Sequence, residues 1–350
     1  MIEFLTEYGM FLAKVATLVV AVLFVVGGII AAASRNKGRA DQDGDLKVRY
    51  LNDELDELKD SLEDAILPAA ARKKALKEKK KQEKAQAKQK KKAGTEEKSK
   101  PRLFVLDFNG DIQASGVEHL RREISAVLQV ASAADEILLR LESPGGLVHS
   151  YGLAASQLRR IRNQGIKLTI AVDQVAASGG YMMACIADRI ISAPFAIIGS
   201  IGVVAQIPNF HRLLKKNDID VELMTAGEYK RTLTMLGENT DKARAKFQQE
   251  LEETHTLFKS FVRDNRRSLD LDKVATGEHW FGSQAKELGL VDELMTSDEL
   301  LQLRKDSQEI YQVEWHTKRK LADRLGFSME TALNRVLDRW LHRGSQRQLY

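Results

Sequence analysis

Two serine corners are the positions of this 350-residue chain best placed to do chemistry. Ser143-Pro144-Gly145-Gly146 follows the apolar run Glu136 to Leu141. Ala176-Ala177-Ser178-Gly179-Gly180 follows Lys167 to Val172. Both runs read as buried strands, and both corners lead into segments that read as helices. Glycine at the end of a strand lets another backbone come close, because no Cβ stands in the way. Serine at the start of a helix sits beside unpaired N–H groups and the positive end of the dipole. Around one carbonyl, two such corners would supply a nucleophilic hydroxyl and the donors of an oxyanion hole. Taken singly, each also fits an ordinary glycine-rich turn of an α/β domain.

A serine hydroxyl needs a base to take its proton. Histidine is the usual one, yet His149 falls on the helix after the first corner and His211 in a polar linker beside Arg212. Neither context suits a base. Lys230, in Gly227-Glu228-Tyr229-Lys230-Arg231, is the best-placed alternative. A lysine ordinarily holds its proton up to about pH 10.4, so a basic role calls for burial or neighbouring charge.

The two corners, together with Gly199-Ser200-Ile201-Gly202-Val203, Lys230 and Phe281-Gly282-Ser283-Gln284-Ala285-Lys286-Glu287-Leu288-Gly289-Leu290-Val291-Asp292, resemble the signature of the signal peptide peptidase A family. The similarity covers about residues 103 to 295. It implies a ClpP/crotonase-like α/β domain carrying a Ser-Lys dyad. By the resemblance Ser178 is the nucleophile, Lys230 the general base and Ser200 the residue that orients the lysine. The amides of Gly179 and of Gly146 or its neighbour Gly145 receive the oxyanion. No metal or other cofactor is implied. The resemblance also implies a ring-shaped homo-oligomer whose dyad is completed between subunits, acting on peptides or unfolded and membrane-derived polypeptides. Two alternatives use the same fold: a crotonase-type acyl-CoA hydratase or isomerase, which would need acidic groups at the corners, and a scaffold without activity.

The surrounding elements alternate as an α/β domain with largely parallel pairing requires. Leu103 to Phe108 reads as a strand ending at Asn109-Gly110, followed by a helix near Gly116 to Ala131, then the strand at Glu136 and a helix near Leu147 to Asn163. Asp241 to Asp264 reads as one long helix. Leu51, Leu55, Leu58 and Leu62 recur at helical spacing within Asp45 to Ile66, and Trp315 to Arg343 is a basic amphipathic pattern. We divide the chain into a tail over 1–9, an anchor over 10–33, a charged helical or disordered linker over 34–101, the peptidase-like domain over 102–300 and a basic extension over 301–350. No internal repeat is evident, so the chain carries one dyad at most.

The net charge of +5 suggests nucleic acid only until its distribution is read. Twelve Lys and Arg against Glu78 and Glu83 lie between Arg72 and Lys92, and the remaining chain is acidic. Basicity is thus a linker property, and no nucleic acid partner is expected. The segment suits a solvated spacer or anionic lipid headgroups. The single cysteine, Cys185, sits in an apolar helix and reads as core.

Met10 to Ala33 is apolar apart from Lys14 and long enough for a hydrocarbon core of about 30 Å. Its length and the acids Glu3 and Glu7 before it favour an uncleaved single-pass anchor over a signal peptide. With this anchor, the family resemblance implies a location in the bacterial inner (cytoplasmic) membrane. Arg35, Lys37 and Arg39 place the following domain on the cytoplasmic side by the positive-inside rule, whereas the family resemblance implies work outside the membrane. Tyr181 to Ile207 is also apolar, but Asp188-Arg189 and Pro194 make it a soluble core of helix, strand and loop.

Overall fold

Alternation along the strands decides what lies on each side of the sheet. In the computed structural model the described residues are 9, 10, 14, 17, 44–68 and 100–317. Ten strands appear among them: β1 (Gly44–Tyr50), β2 (Arg102–Asn109), β3 (Glu136–Glu142), β4 (Lys167–Val172), β5 (Val175–Ala177), β6 (Arg189–Ser192), β7 (Ile197–Gly199), β8 (His279–Phe281), β9 (Glu293–Leu294) and β10 (Glu309–Thr317). On β2, Phe104, Leu106 and Phe108 enter one core while Leu103 and Val105 enter another, all buried. On β3, Ile137, Leu139 and Leu141 part from Leu138 in the same way. That is the period of two that a sheet covered on both faces demands.

The main sheet runs in the order β1-β10-β2-β3-β4-β6-β9, and from β10 to β9 every pair is parallel. Helices α2 (Val117–Val130), α3 (Val148–Asn163) and α4 (Gly179–Ala184) cover the larger core, where Leu120, Ile124, Tyr151, Leu158 and Met183 meet the strands. Each such side chain, fully buried, contributes about 1.5–3 kcal/mol. The opposite face is closed by Leu51 of α1 (Leu51–Ile66) and by Leu300 and Leu301. Leu300 and Leu301 belong to α9 (Ser297–Arg304), and between α4 and α9 in the chain come α5 (His211–Lys216), α6 (Asp241–Asn265), α7 (Leu271–Val274) and α8 (Gly282–Glu287). The helix expected over Asp241 to Asp264 is capped by Thr240, whose hydroxyl accepts from the Ala243 amide at 3.2 Å. The mixed α/β class with a largely parallel sheet is the one the alternation of segments indicates.

Four features differ from the sequence reading. Gly44–Tyr50, expected within a helical pattern over Asp45 to Ile66 in the linker, is strand β1 at the edge of the main sheet. The compact body spans Val48–Glu314, so β10 is a strand of the main sheet and not the start of an extension. Trp315–Thr317 is strand, not helix; the rest of the basic C-terminal pattern lies outside the described residues. The leucine stripe of α1 is covered only at its start: Leu51 is buried, while Leu58 and Leu62 are 68% and 63% exposed. Of the other unit, Met1–Lys47 with Trp315–Tyr350, little beyond the short strand ends at Gly44 and Trp315 is described.

What fixes the start of α1 is Asn52. Its buried amide donates to the carbonyls of Lys305 at 2.8 Å and Gln308 at 3.0 Å, and its oxygen accepts from the Ile310 amide at 2.8 Å. These bonds satisfy the turn that feeds β10. Asn52→Ala strands three backbone groups and is expected to cost about 2–4 kcal/mol in urea unfolding. A loss below about 0.5 kcal/mol would show that solvent reaches the turn.

Among the described residues no helix is long and apolar enough to cross a membrane. The expected anchor over Met10 to Ala33 and the lysine-rich run over Arg72 to Lys92 lie outside the described residues, apart from isolated positions. The apolar stretch from Tyr181 to Ile207 resolves into α4, β6, β7 and loop.

Candidate active site

Three backbone links bring the serine corners together. Ser143 leaves β3 and bridges Ala176 of β5, with Ser143 N donating to Val175 O at 2.8 Å and Ala177 N to Ser143 O at 3.0 Å. β5 pairs in parallel with β7, so that Ala177 faces Gly199. Ser178 N then donates to Gly199 O at 2.8 Å, placing Ser178 beside Ser200. The Ser200 amide donates to Glu278 O at 2.7 Å, which ties this corner to the chain entering β8.

Ser178 is the N-cap of α4 but does not behave as one. Its φ of 52° and ψ of −116° are unusual for a residue with a Cβ, and its hydroxyl accepts no capping bond. Such strain costs about 1–3 kcal/mol and persists where the surroundings impose it. Strand-to-helix elbows that present a nucleophile have this character. Ser200 shares it, with a φ of 51°. Ser178 is half-buried, so its hydroxyl is neither sealed in the core nor loose in solvent.

Glycines make the close approach possible. At Gly145, φ is +92°, and a methyl there would lie 2.7 Å from Ser178 Cβ and 2.8 Å from Gly179 N. Only a residue without Cβ brings the first corner onto the second. A methyl on Gly146 would clash with the Ile112 carbonyl oxygen and lie 2.6 Å from its carbonyl carbon. Gly145, expected beside Gly146 as an oxyanion donor, instead gives its amide to Ser143 Oγ at 3.1 Å. Ser178, Gly146 and Gly179 open into one small pocket walled by Val148, Met182, Val203, Thr254 and Phe258. A larger polar cleft of 260 Å³, lined by Asp107, Arg140, Glu142, Asp173 and Asp298, does not include them.

Lys230 is not brought to Ser178 in the single chain. It is exposed in the turn closed by Lys230 N donating to Gly227 O at 3.2 Å, and it does not line the Ser178 pocket. Its neighbours turn to other partners: Glu228 pairs with Lys242 at 2.6 Å, and Lys246 lies over the Tyr229 ring. The long excursion from Gly202 to Thr240 carries exposed Val204, Leu213, Met224, Tyr229 and Met235. Neither His149 nor His211 lines the pocket.

Sequence reasoning missed two side chains here. His255 of α6 bonds the Ile201 carbonyl through Nε2 at 3.1 Å and so holds the Ser200 corner. Tyr151 of α3, which sequence reading did not single out, places its hydroxyl 2.5 Å from Ser143 Oγ. Cys185 is fully buried, and burial pushes its thiol up to about 12. It is core, with no thiolate to offer.

Comparison with known proteins shows the family. Residues 3–158 match the peptidase family S49 N-terminal model and residues 160–312 the peptidase family S49 model. "Probable protease SohB" of Haemophilus influenzae is 53% identical over 353 residues, covering 99% of each chain. The chain belongs to peptidase family S49. A second relative of this S49 peptidase, "Probable protease SohB" of Buchnera aphidicola subsp. Acyrthosiphon pisum, is 56% identical over 69% of the chain and 72% of its own length. The signal peptide peptidase A resemblance falls in the same family. Hydrolysis by a serine peptidase is therefore this protein's activity, which sets aside the acyl-CoA hydratase alternative. A solved mutant of a membrane-bound stomatin-specific protease, in complex with a substrate peptide, aligns over 65% of this chain and 96% of its own at 16% identity, with a TM-score of 0.40.

Proposed function

We propose that the chain is a membrane-anchored serine endopeptidase on a ClpP/crotonase-type fold, with Ser178 as nucleophile and Lys230 as general base. Neutral Lys230 takes the proton of Ser178 Oγ as that oxygen bonds to the peptide carbonyl carbon. The carbonyl oxygen gains negative charge and is met by the Gly146 and Gly179 amides, Gly145 being engaged by Ser143. Lys230 returns the proton to the leaving amine as the C–N bond breaks. Water, activated by the same lysine, then hydrolyses the acyl-enzyme. Ser200, which follows the Gly199 whose carbonyl accepts from the Ser178 amide, orients the lysine.

The observation that carries the nucleophile is the strained, uncapped Ser178 lining a pocket that it shares with Gly146 and Gly179. A fluorophosphonate probe tests it: wild type should be labelled on Ser178 and Ser178→Ala should not. Labelling that persists in Ser178→Ala would end the assignment.

Lys230 comes from an adjacent copy in a ring-shaped homo-oligomer. Support comes from its exposure in the single chain and from the uncovered apolar side chains of the excursion that carries it. An enclosed ring restricts substrates to peptides and unfolded or membrane-derived polypeptides. The anchor is the apolar run Met10 to Ala33, in the bacterial inner membrane. Removing residues 10–33 should move the protein from the membrane to the soluble fraction. Retention in the membrane would place the attachment elsewhere.

A further inference from the structure

Tyr151 is fully buried in α3, and no step above uses it. Its ring lies directly beneath Gly179, where a methyl would fall 2.7 Å from Tyr151 Cδ2 and 2.9 Å from its Cβ. Its hydroxyl lies 2.5 Å from Ser143 Oγ and 2.8 Å from the Asp111 carbonyl. The protons can be assigned by elimination. A carbonyl only accepts, so Tyr151 donates to Asp111 O. Ser143 Oγ, accepting from the Gly145 amide at 3.1 Å, then donates to Tyr151 Oη. The result is one continuous relay from Gly145 N–H through Ser143 and Tyr151 to Asp111.

The far end of the relay is fixed. Ala114 N donates to the same Asp111 carbonyl at 3.0 Å, and the Asp111 carboxylate takes the Ser115 amide at 2.8 Å and the Ser115 hydroxyl at 2.7 Å. The next residue, Ile112, accepts from Leu147 N at 2.8 Å just beyond Gly146. One turn thus supports both the tyrosine hydroxyl and the exit of the glycine corner. Two hydroxyls in an apolar core are costly unless satisfied, and an aliphatic pair would fill this space more cheaply.

We infer that Tyr151 is the positioning residue of the oxyanion donors. Its ring seats Gly179. Its hydroxyl, through Ser143 Oγ, draws the Gly145 amide inward and leaves the Gly146 amide to face the same oxygen as that of Gly179. The inference rests on the peptidase reading of Ser178. Donor alignment counts in the transition state more than in substrate binding, so the relay acts on turnover.

The test compares the full chain with Tyr151→Phe, Ser143→Ala and the double variant. The readouts are kcat and KM on a fluorogenic peptide and inhibition by a peptide aldehyde, whose hemiacetal oxygen needs the same donors. Each single variant is expected to lose about 10- to 100-fold in kcat with KM within about twofold. Aldehyde affinity should fall in step with kcat/KM, and the double variant should be no worse than the worse single. A purely structural tyrosine would lower the unfolding midpoint and the active fraction but leave aldehyde affinity per active site intact, which would overturn the inference. So would wild-type kcat in either single variant. Should Tyr151→Phe fail to fold, Ser143→Ala decides alone. Full activity in Ser178→Ala would bring down the peptidase reading and the relay together. If that control is dead and the relay variants match wild type, the relay alone has failed.

Discussion

Replacing Ser178 with Ala lowers peptide hydrolysis by about 10⁴-fold or more and leaves folding stability within about 0.5 kcal/mol of wild type. The first effect follows from removing the attacking oxygen, for which no neighbour substitutes: Ser143 Oγ is committed to Tyr151 and Gly145, and Cys185 is buried. The second follows because the hydroxyl makes no capping bond and alanine inherits the same backbone conformation. Ser178→Gly sharpens the contrast. Glycine tolerates φ near +52°, so relief of strain should exceed its entropic penalty by about 1 kcal/mol. An inactive protein more stable than wild type is the expected pair of readings from a peptide assay and a urea titration. Activity above about a tenth of wild type in Ser178→Ala would refute the nucleophile. A less stable glycine variant would refute the strain.

Lys230→Ala is expected to be as inactive as Ser178→Ala, and Lys230→Arg no better, since a guanidinium stays protonated and cannot take the serine proton. The two inactive proteins carry complementary defects. If the lysine comes from the neighbour, mixed rings restore activity wherever an intact serine meets an intact lysine. Random mixing of equal amounts gives this at about a quarter of the contacts. The check is co-expression of two differently tagged variants, tandem purification and assay of the mixed assembly. Mixed rings without recovery would require the exposed lysine to reach Ser178 within its own chain. An active arginine variant would remove Lys230 from the chemistry altogether.

The corners were legible because their demands are local. A positive φ and a close backbone approach ask for glycine, and Gly145 and Gly179 supply it in the two short corners that carry Ser143 and Ser178. The apolar periods likewise mark α2, α3 and α6 to within a residue or two of their observed ends. What stayed hidden depends on distant partners. The spacing of Leu58 and Leu62 says that they share a face, not that anything covers it. Tyr151 keeps the rhythm of its helix and conceals a polar task. His255 finds its partner at Ile201, far away in sequence. β10 breaks the alternation of a strand with buried Gln312, whose amide donates to Asp107 Oδ2 at 2.5 Å while its oxygen accepts from Arg49.

The insertion of β10 between β1 and β2 sets the order in which the protein can be made. β2 pairs with β3 on one side and with β10 on the other, and Arg102 finds its register partner only in Glu309. During synthesis, β2, β3, β4 and the helices that cover them emerge first, with one flank of β2 lacking its neighbour. An open strand flank invites pairing with other chains. Until the codons beyond Glu309 are read, the nascent peptidase is therefore at its most vulnerable to aggregation and to degradation by other proteases.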